Sequence, residues 1–358
     1  MTTRSMFRLV AVTALLAAGC GSGSPPPTGS ATPTSSTSTT ANLALVTLQG
    51  SDQIVVQDLT DIAHPVTLGN LGHVQAPVFL NGSTVTYADG TDMWAVPVGG
   101  SPDRKQPPYP GIQEFAWSPD GKALVFVHGG ASPTSGTDVS LWKEGDSFMP
   151  MGSIPPRGVG GCEAIAGCTI PNWLDFRLLY SPDASLISLV VSSFAGSFFR
   201  LWTADGQLLK SEDSRGWTMS AWSGNGLYFR TSEGVTVVRN GQTGTFLPGV
   251  AWIKPSASPA GGLIAYSARD ADGWAHSYVV ETATGKVREL NKARTGAVFL
   301  TSRFIWYQEE RACAPADNCG PNPPFHPLSG KTYIYDLQSG TETESTITSV
   351  LDVWPHAA

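Results

Sequence analysis

The sequence lacks long apolar stretches with the 3.6-residue periodicity of amphipathic helices, and charged residues make up only 14% of it. Glycine and proline, with 39 and 27 residues, instead interrupt the chain throughout. Short runs rich in β-branched and aromatic residues lie between them, a pattern typical of antiparallel strands. The sequence therefore predicts an all-β protein with almost no helix. The clearest predicted strands are Ala123–Val127, Leu186–Val191, Leu227–Arg230, Val235–Arg239, Leu263–Tyr266, Phe304–Tyr307 and Thr332–Asp336.

Familiar catalytic motifs are also missing. No serine lies in a Gly-x-Ser-x-Gly elbow, and no His-Glu-x-x-His, P-loop or dinucleotide-binding fingerprint is present. The six histidines form no ligand-spaced pair, and we interpret them as solvated loop residues. We therefore assign no catalytic residue and no cofactor. The formal net charge of −7 disfavours nucleic-acid binding, because an acidic surface repels phosphate backbones.

The first twenty residues combine a cationic start, an apolar run and a cysteine. Arg4 and Arg8 flank the start of the apolar run Leu9–Ala18, which is too short to span a bilayer but suits a cleavable signal peptide. The Leu-Ala-Ala-Gly-Cys sequence that ends at Cys20 is similar to a lipobox, although Ala17 stands where leucine is commonest. The resemblance implies cleavage before the cysteine and a diacylglycerol anchor on it. An ordinary secretory signal is the alternative.

The segment that follows, Gly21–Ala41, contains only Gly, Ser, Pro, Thr and Ala. Such a segment has little apolar surface to bury and is expected to be a disordered tether, spanning roughly 25 Å if flexible. We divide the chain into a signal peptide (1–19), a lipidated cysteine with its tether (20–41) and one folded domain (42–358). This organisation predicts an exported protein on the outer face of the bacterial cytoplasmic membrane, or a periplasmic or cell-surface location.

A turn motif recurs between matching apolar strands along the folded domain. Its clearest copy is Phe115–Val127, which contains Trp-Ser-Pro-Asp-Gly, and related copies lie at Tyr180–Leu186, Ala221–Phe229 and Ala257–Tyr266. Proline sets φ near −65° at the first corner, and Asp-Gly completes the turn with a local hydrogen bond and a permissive backbone. We interpret the acids of these turns, Asp120 and Asp183, as turn-forming residues rather than catalytic ones. The turn positions are Asn81, Ser118, Ser181, Ser223, Ser258, Thr301 and Pro355.

Most of these spacings lie near the 40–45 residues of a four-stranded propeller blade. The last predicted strand, within Ser349–Pro355, has the pattern of the first strand of a unit, whereas the unit that begins at Leu43 lacks its first strand. We predict seven blades, closed by pairing of the C-terminal strand with the N-terminal blade. At these residues the chain resembles the TolB-type, WD-like propeller repeats of exported bacterial proteins, which implies a fold but no particular activity. An array of two-sheet sandwiches is the structural alternative.

Four cysteines besides Cys20 form two local pairs, Cys162 with Cys168 and Cys313 with Cys319. An even count in an exported protein predicts two small-loop disulfides. A metal site is the alternative, but no histidine lies close to either pair and the spacing is unlike a zinc knuckle. Both pairs fall in the two longest steps between turns, which predicts that they lie in insertions beyond the basic blade.

Aromatic residues near loops are the candidates for an exposed binding surface, although core packing is the favoured interpretation for each tryptophan. By contrast, Trp117, Trp222 and Trp354 end predicted first strands and are expected to pack between blades. Asp270-Ala-Asp272-Gly resembles part of a calcium loop, but we prefer a polar hairpin because further oxygen ligands are missing. The candidate surface residues are Trp173, Trp217, Trp252, Trp274 and Phe325.

Together these patterns predict a lipid-anchored, monomeric binding or scaffold module. Its partner would be a cell-envelope protein or glycan, recognised through the insertions Cys162–Trp173 and Arg311–Leu328. The alternative is a propeller enzyme, such as a lyase, lactonase or glycan hydrolase, with carboxylates or a metal at the central channel. The predicted inner strands supply only isolated acids for such a site, namely Glu114, Asp175 and Asp352.

Overall fold

A computed structural model of the protein describes residues 42–89, 92–105, 111–129, 137–145, 147–154, 175–193, 196–214, 218–317, 319 and 326–356. The regular elements of these residues are all β-strands, and none is a helix. The described part of the chain thus offers no helix that could cross a bilayer. The predicted signal peptide, Cys20 and the tether lie outside the described residues.

The strands, in chain order, are β1 (Leu43–Leu48), β2 (Ile54–Asp58), β3 (Val66–Gly72), β4 (Val78–Asn81), β5 (Thr84–Ala88), β6 (Met93–Pro97), β7 (Asp103–Lys105), β8 (Ile112–Trp117), β9 (Ala123–His128), β10 (Thr137–Lys143), β11 (Met149–Ile154), β12 (Asp175–Tyr180), β13 (Leu186–Ser193), β14 (Gly196–Thr203), β15 (Leu208–Ser214), β16 (Thr218–Ser223), β17 (Gly226–Thr231), β18 (Gly234–Arg239), β19 (Gln242–Pro248), β20 (Ile253–Ala257), β21 (Leu263–Arg269), β22 (Ala275–Glu281), β23 (Val287–Lys292), β24 (Arg294–Phe299), β25 (Phe304–Glu310), β26 (Leu328–Asp336), β27 (Glu342–Ser345) and β28 (Ile347–Trp354). Each strand predicted from the sequence coincides with one of these.

The strands form seven four-stranded antiparallel sheets, which are the blades of a β-propeller. Blade 1 has the order β28-β1-β2-β3, and blades 2 to 7 each use four consecutive strands, from β4–β7 to β24–β27. First strands of neighbouring blades contact one another, so they surround the central axis. The predicted fold is therefore confirmed, including its blade number.

The ring closes through β28, the last strand of the chain. It pairs with β1 antiparallel, with Leu43 opposite Trp354 and Leu45 opposite Asp352. The Asp352 carboxylate also accepts a 2.7 Å hydrogen bond from the backbone N–H of Phe79 in blade 2. The closure predicted from the sequence is confirmed, and the first and last parts of the folded chain share one sheet.

Two ends of the propeller differ in which connections they carry. We call the turn face the end with the connections from the first to the second strand of each blade, such as Ser118–Lys122. The opposite end, the insertion face, carries the connections from second to third strands and those between blades. Residues 155–174, with Cys162 and Cys168, lie between β11 and β12 in the sequence and are outside the described residues.

The turn face owes its regularity to local hydrogen bonds. Ser118 Oγ donates to Asp120 at 2.6 Å and accepts from the N–H of Ala123 at 2.9 Å. Ser181, Asp183 and Leu186 make the same two bonds at 2.6 and 2.9 Å. In both turns the serine hydrogen bond holds the pKa of the aspartate below its ordinary value. These aspartates form turns, as their sequence context predicts.

The core of the molecule consists of seven clusters of buried side chains, one between each pair of neighbouring blades. Trp117 and Trp222 lie in two of these clusters, and Trp354 packs against a third, as predicted. The indole of Trp117 donates to Thr86 in the preceding blade at 2.8 Å, and Trp222 donates to Ser188 at 3.0 Å. A tryptophan at this position is therefore matched by a small hydroxyl residue in the neighbouring blade.

Other interfaces use different pairs at the equivalent positions. Tyr228 occupies the place of Ser188, and small Ala257 then stands in the place of Trp222. Between blades 3 and 4, Val125 and Tyr180 occupy these positions, and the buried hydroxyl of Tyr180 has no hydrogen-bond partner within the described part of the chain. At these interfaces a large side chain in one blade thus faces a smaller one in the next, whereas a hydrogen bond between the two is not always present.

Candidate recognition surface

The most elaborate described part of the insertion face lies where blades 6 and 7 meet. Here the described residues between β25 and β26, which are 311–317, 319, 326 and 327, lie beside the short hairpin 270–274 that joins β21 to β22. We call these two segments together the blade 6–7 corner. It unites the described part of one predicted insertion with Trp274, Asp270 and Asp272, which are separate features in the sequence.

The connection is braced by a disulfide and an ion pair. Cys313 and Cys319 are bonded, with their Cα atoms 6.4 Å apart. The two terminal guanidinium nitrogens of Arg311, Nη1 and Nη2, donate to the carboxylate of Asp317 at 2.6 and 2.9 Å. The Arg311 hydrogen bond, with a further one from the N–H of Ala314, lowers the pKa of Asp317 to about 2. Asp317 is therefore ionised at neutral pH, and its carboxylate closes the base of the loop.

A stacked pair of rings docks the connection on the neighbouring blade. The rings of Trp274 and His326 lie 3.7 Å apart between centroids and 12° from parallel. His326 Nε2 donates to the carbonyl oxygen of Asp272 at 3.2 Å, and its buried Nδ1 has no hydrogen-bond partner among the described residues. His326 is only 7% exposed, so the interpretation of the histidines as solvated residues is wrong for it. It is equally wrong for His128, which is buried against Ser140.

Glu310 holds the hairpin of blade 6 from the end of β25. One carboxylate oxygen accepts from Arg269 at 2.7 Å, and the other accepts from the N–H of Ala275 at 2.8 Å. The Glu310 side chain is 1% exposed, so both charges of this pair are largely removed from water. Breaking one half of such a pair is costly because the other charge stays buried.

Asp270 is a turn residue of the hairpin rather than part of a cation loop. Its Oδ1 accepts from the N–H groups of Asp272 and Trp274 at 3.0 and 2.9 Å. Its Oδ2 faces His276 at 2.9 Å and Lys292 at 3.5 Å. Burial disfavours the charged form, but the hydrogen bonds outweigh it and hold the pKa of Asp270 below its ordinary value. The hairpin interpretation is the one the structure supports.

His276 lies between two carboxylates on the same sheet. Its Nε2 meets Asp270, and its Nδ1 meets Glu289 on β23 at 2.6 Å. Burial acts to lower the pKa of His276, but the hydrogen bonds to Glu289 and Asp270 together raise it above its ordinary value. The imidazolium therefore joins the hairpin to the outermost strand of blade 6.

The outer surface of the corner is exposed and poor in charge. Residues 312–316 read Ala-Cys-Ala-Pro-Ala, and all five are exposed. Leu328, at the foot of the connection, has 46% of its surface exposed, and Trp274 is half-buried beneath. A rigid tip of small apolar residues above an ion-paired base is the kind of surface that binds a partner at little conformational cost.

The other predicted surface residues are not part of this corner. Trp252 is fully buried, its indole donating to the carbonyl of Met219 in blade 5 at 3.2 Å, so its assignment to an exposed surface is wrong. Sequence position suggested a loop, whereas contact across the blade interface decides its environment. The predicted residues that lie outside the described part of the chain are Trp173, Trp217, Phe325, Cys162 and Cys168.

Sequence reasoning missed Glu310, Arg269 and His326, which hold the corner together. A charged residue at the end of an apolar strand, as at Glu310, is the signal that could have found the first. Its partner could not be identified, because Arg269 lies in a different blade.

The inner strands contribute acids that are far apart along the ring. Asp352 is engaged by Phe79 and by His356 Nε2 at 3.1 Å, while Glu114 lies two blades away on β8. Within the described residues, one trio of ligand types brings its donor atoms within 4.8 Å, namely Cys313, Asp317 and Cys319. Its sulfurs form the disulfide and its carboxylate binds Arg311, so these donors are already used.

No known family profile matches the chain, and no curated protein matches it by sequence. Solved structures do match in fold. A puromycin-hydrolysing peptidase of Mycobacterium tuberculosis is 12% identical with a TM-score of 0.53, over 86% of this chain and 54% of that one, so the chain spans about half of the peptidase. An oligogalacturonate lyase in complex with manganese is 9% identical with a TM-score of 0.50, over 74% and 73%.

A putative TolB from Agrobacterium tumefaciens also matches, at 14% identity and a TM-score of 0.44, over 70% of this chain and 89% of that one. The similar structures thus include a TolB-like propeller as well as enzymes. At these identities the likeness concerns the propeller fold and selects no activity.

Proposed function

We propose that the protein is a lipid-anchored binding module that recognises a cell-envelope partner through its insertion face. The observation that carries the proposal is the blade 6–7 corner, where a disulfide, an ion pair and a ring stack support an exposed, uncharged tip. Preorganised surfaces of this kind lose little entropy on binding. Loops on a rigid propeller are also the usual carriers of recognition.

The position of the first strand supports recognition through the insertion face. β1 starts at Leu43 on the turn face, where the carbonyl of Asn42 accepts a hydrogen bond from the N–H of Leu59 at 2.7 Å. A tether that ends at Ala41 would therefore join the propeller on the turn face. With lipid on Cys20, the attachment point and the blade 6–7 corner would lie on opposite faces of the propeller, which leaves the insertion face free to meet a partner in the envelope.

Site-specific photo-crosslinking in intact cells tests the recognition surface. A photoreactive amino acid at Ala314, on the tip, should yield a discrete crosslinked adduct. The matched control places the same group at Ser101, an exposed residue on the turn face. No adduct from position 314, or the same adduct from both positions, would contradict the proposal.

The anchor is tested separately by Cys20→Ala. The variant should move from the membrane fraction to the soluble fraction, and mass spectrometry of the wild type should find diacylglycerol on the N-terminal cysteine. A wild-type chain without lipid would overturn the anchored form of the proposal while leaving recognition by the corner to stand or fall on the crosslinking result.

A further inference from the structure

The cations nearest the central channel fall into two groups. The first and second strands of the seven blades carry five cations among their described residues: Arg177, Arg230, Lys254, Arg269 and Arg294. Arg269 pairs with Glu310, and Arg294 pairs with Glu309 and Glu342 at 3.1 and 2.7 Å. The other three form no ion pair with any described carboxylate. In an acidic chain, three such cations in one region are unexpected.

These three residues, which we call the cationic arc, belong to three consecutive blades. Arg177 lies on β12, the first strand of blade 4, and Lys254 lies on β20, the first strand of blade 6. Both side chains are exposed, although they are on the innermost strands of a closed ring. Arg230 lies in blade 5 between them, at the insertion-face end of β17, opposite Thr218. The arc therefore follows the mouth of the channel on the insertion face.

Each cation of the arc belongs to a different cleft between blades. Arg177 lies on the same strand face as Leu179, which packs between blades 4 and 5. Arg230 lies on the same strand face as Tyr228, which packs between blades 5 and 6. The side chain of Lys254 approaches blade 7. Its Cδ atom lies 4.0 Å from the position that a Cβ atom would occupy at Gly296 on β24. Neighbouring first strands here approach within 8 Å between Cα atoms. The charges are thus spread over two strand spacings.

The backbone beneath the arc is held in unusual conformations. Met219 and Lys254 have φ angles of 61° and 46°, in the left-handed region that costs a side chain-bearing residue free energy. Both lie at bulges where the first strand shifts register against the second. Next to Met219, Ser220 is 1% exposed, and none of the described residues forms a hydrogen bond with its hydroxyl. Strain, an unpaired hydroxyl and unpaired cations therefore coincide on adjacent inner strands.

We propose that the cationic arc is a binding site for an extended ligand that carries two or more carboxylate or phosphate groups. Guanidinium groups bind such oxyanions with paired, charge-assisted hydrogen bonds, and an ammonium group adds a point charge. A single small ion would reach only part of the arc, so an oligomeric anion fits its spread best. This site is separate from the blade 6–7 corner and does not depend on the corner's function.

Calorimetric titration of the full chain with defined probes tests the site. The probes are tripolyphosphate, a linear trisaccharide of uronic acids, and maltotriose as the neutral comparison, all at low ionic strength. At least one anionic probe should bind, maltotriose should not, and added salt should weaken the binding. Binding of tripolyphosphate alone would assign phosphate to the ligand, and binding of the uronate alone would assign carboxylate.

Variants then locate the binding. Arg177→Gln and Lys254→Gln should each weaken it about tenfold, and the double variant about a hundredfold, while Arg177→Lys should keep part of the affinity. The matched control is Lys122→Gln with Lys286→Gln, two exposed lysines on the turn face. Circular dichroism melts of each variant check that folding is unchanged, since both arc side chains are exposed.

Two results would overturn the assignment: neither anionic probe binds, or the turn-face double variant weakens binding as much as the arc double variant does. Replacement of residues 312–326 by a short Gly-Ser turn should leave probe binding unchanged. Because this replacement removes position 314, partner crosslinking is then followed from a photoreactive amino acid at Leu328, which is exposed and is retained. A loss of that crosslink without a loss of probe binding would separate the two sites.

Discussion

The two faces of the propeller are built from the same strands but are organised by different interactions. On the turn face, Ser118 and Ser181 form the same pair of hydrogen bonds within six residues of chain. On the insertion face, the important contacts join residues far apart in sequence, such as Trp274 with His326 and Arg269 with Glu310. The hydrogen-bonded turns of the turn face recur in different blades, whereas the contacts described on the insertion face belong to particular blades.

This difference shows which constraints each face obeys. A turn that closes through its own side chains can be copied from blade to blade, because it needs nothing from its surroundings. Connections on the other face are free to lengthen, provided that each new loop brings its own supports. The blade 6–7 corner has a disulfide, a salt bridge and a ring stack as such supports.

Removing the closing strand should have the largest effect, because both faces depend on a complete ring. Truncation after Thr346 deletes β28 and exposes one edge of β1 together with two interblade clusters. We expect the melting temperature to fall by at least about 10 °C. The control is truncation after His356. Equal melting temperatures of the two truncated proteins would show that β28 does not close the ring.

The next largest effect should come from the buried support of the insertion face. Glu310→Ala removes the partner of Arg269 and of the Ala275 N–H, and should cost about 3–5 kcal/mol of unfolding free energy. The turn-face comparison is Lys143→Gln. The exposed ion pair of Lys143 with Asp205 should contribute less than about 1 kcal/mol to the free energy of unfolding. Urea unfolding measures both, and similar losses would mean that Glu310 is not a buried support.

The interblade hydrogen bonds provide a sharper comparison within one repeat. Trp117→Phe removes the donor to Thr86 and should cost about 1–3 kcal/mol. Tyr180→Phe removes a buried hydroxyl that has no partner, so the free energy of unfolding should stay the same or rise slightly. If the tyrosine variant loses as much as the tryptophan variant, the hydroxyl of Tyr180 has a partner in solution.

The pH dependence of stability should reveal the His276 contacts on the insertion face. The folded-state pKa of His276 is raised above its ordinary value of 6.5, so its protonated form stabilises the fold below that pH. This contribution is lost as the pH rises through the folded-state pKa. Chemical denaturation from pH 6 to 8 should show a decrease that His276→Gln lacks, and parallel curves for the two proteins would contradict it.

The smallest expected effect is a gain on the turn face. In the third Ser-Pro turn, Ala260 stands where Asp120 stands in the first, and the buried hydroxyl of Ser258 has no partner. Ala260→Asp should restore the missing acceptor and add about 0.5–1.5 kcal/mol, and Asp120→Ala should lose a similar amount. Thermal melts check both, and a neutral Ala260→Asp would show that the serine hydroxyl is satisfied by water.

The seven blades were predictable because their turns are local. The Ser-Pro-Asp spacing and the strand missing before Leu43 together indicated both the blade number and the closure by β28. The disulfide of Cys313 with Cys319 was predictable for the same reason, since its partners are close in sequence.

The features that could not be predicted from the sequence depend on which residues contact each other across neighbouring blades. Trp252 follows a turn and has the sequence context of a loop residue, yet its indole crosses to Met219 and is buried. His326 has no local signal of burial, because the ring that covers it lies in another blade. The cationic arc has the same origin: Arg177 and Lys254 are far apart in sequence, and only the closed ring brings their strands to one channel mouth.

The pairing of the last strand with the first blade also sets the order of events during synthesis. Among the described strands β1 is synthesised first, yet its neighbour β28 is synthesised after the strands of the other six blades, so β1 has an unpaired edge until then. Contacts between such distant segments form slowly, and a nascent chain without them gains little from premature folding. The ring can therefore close only after β28 has been synthesised.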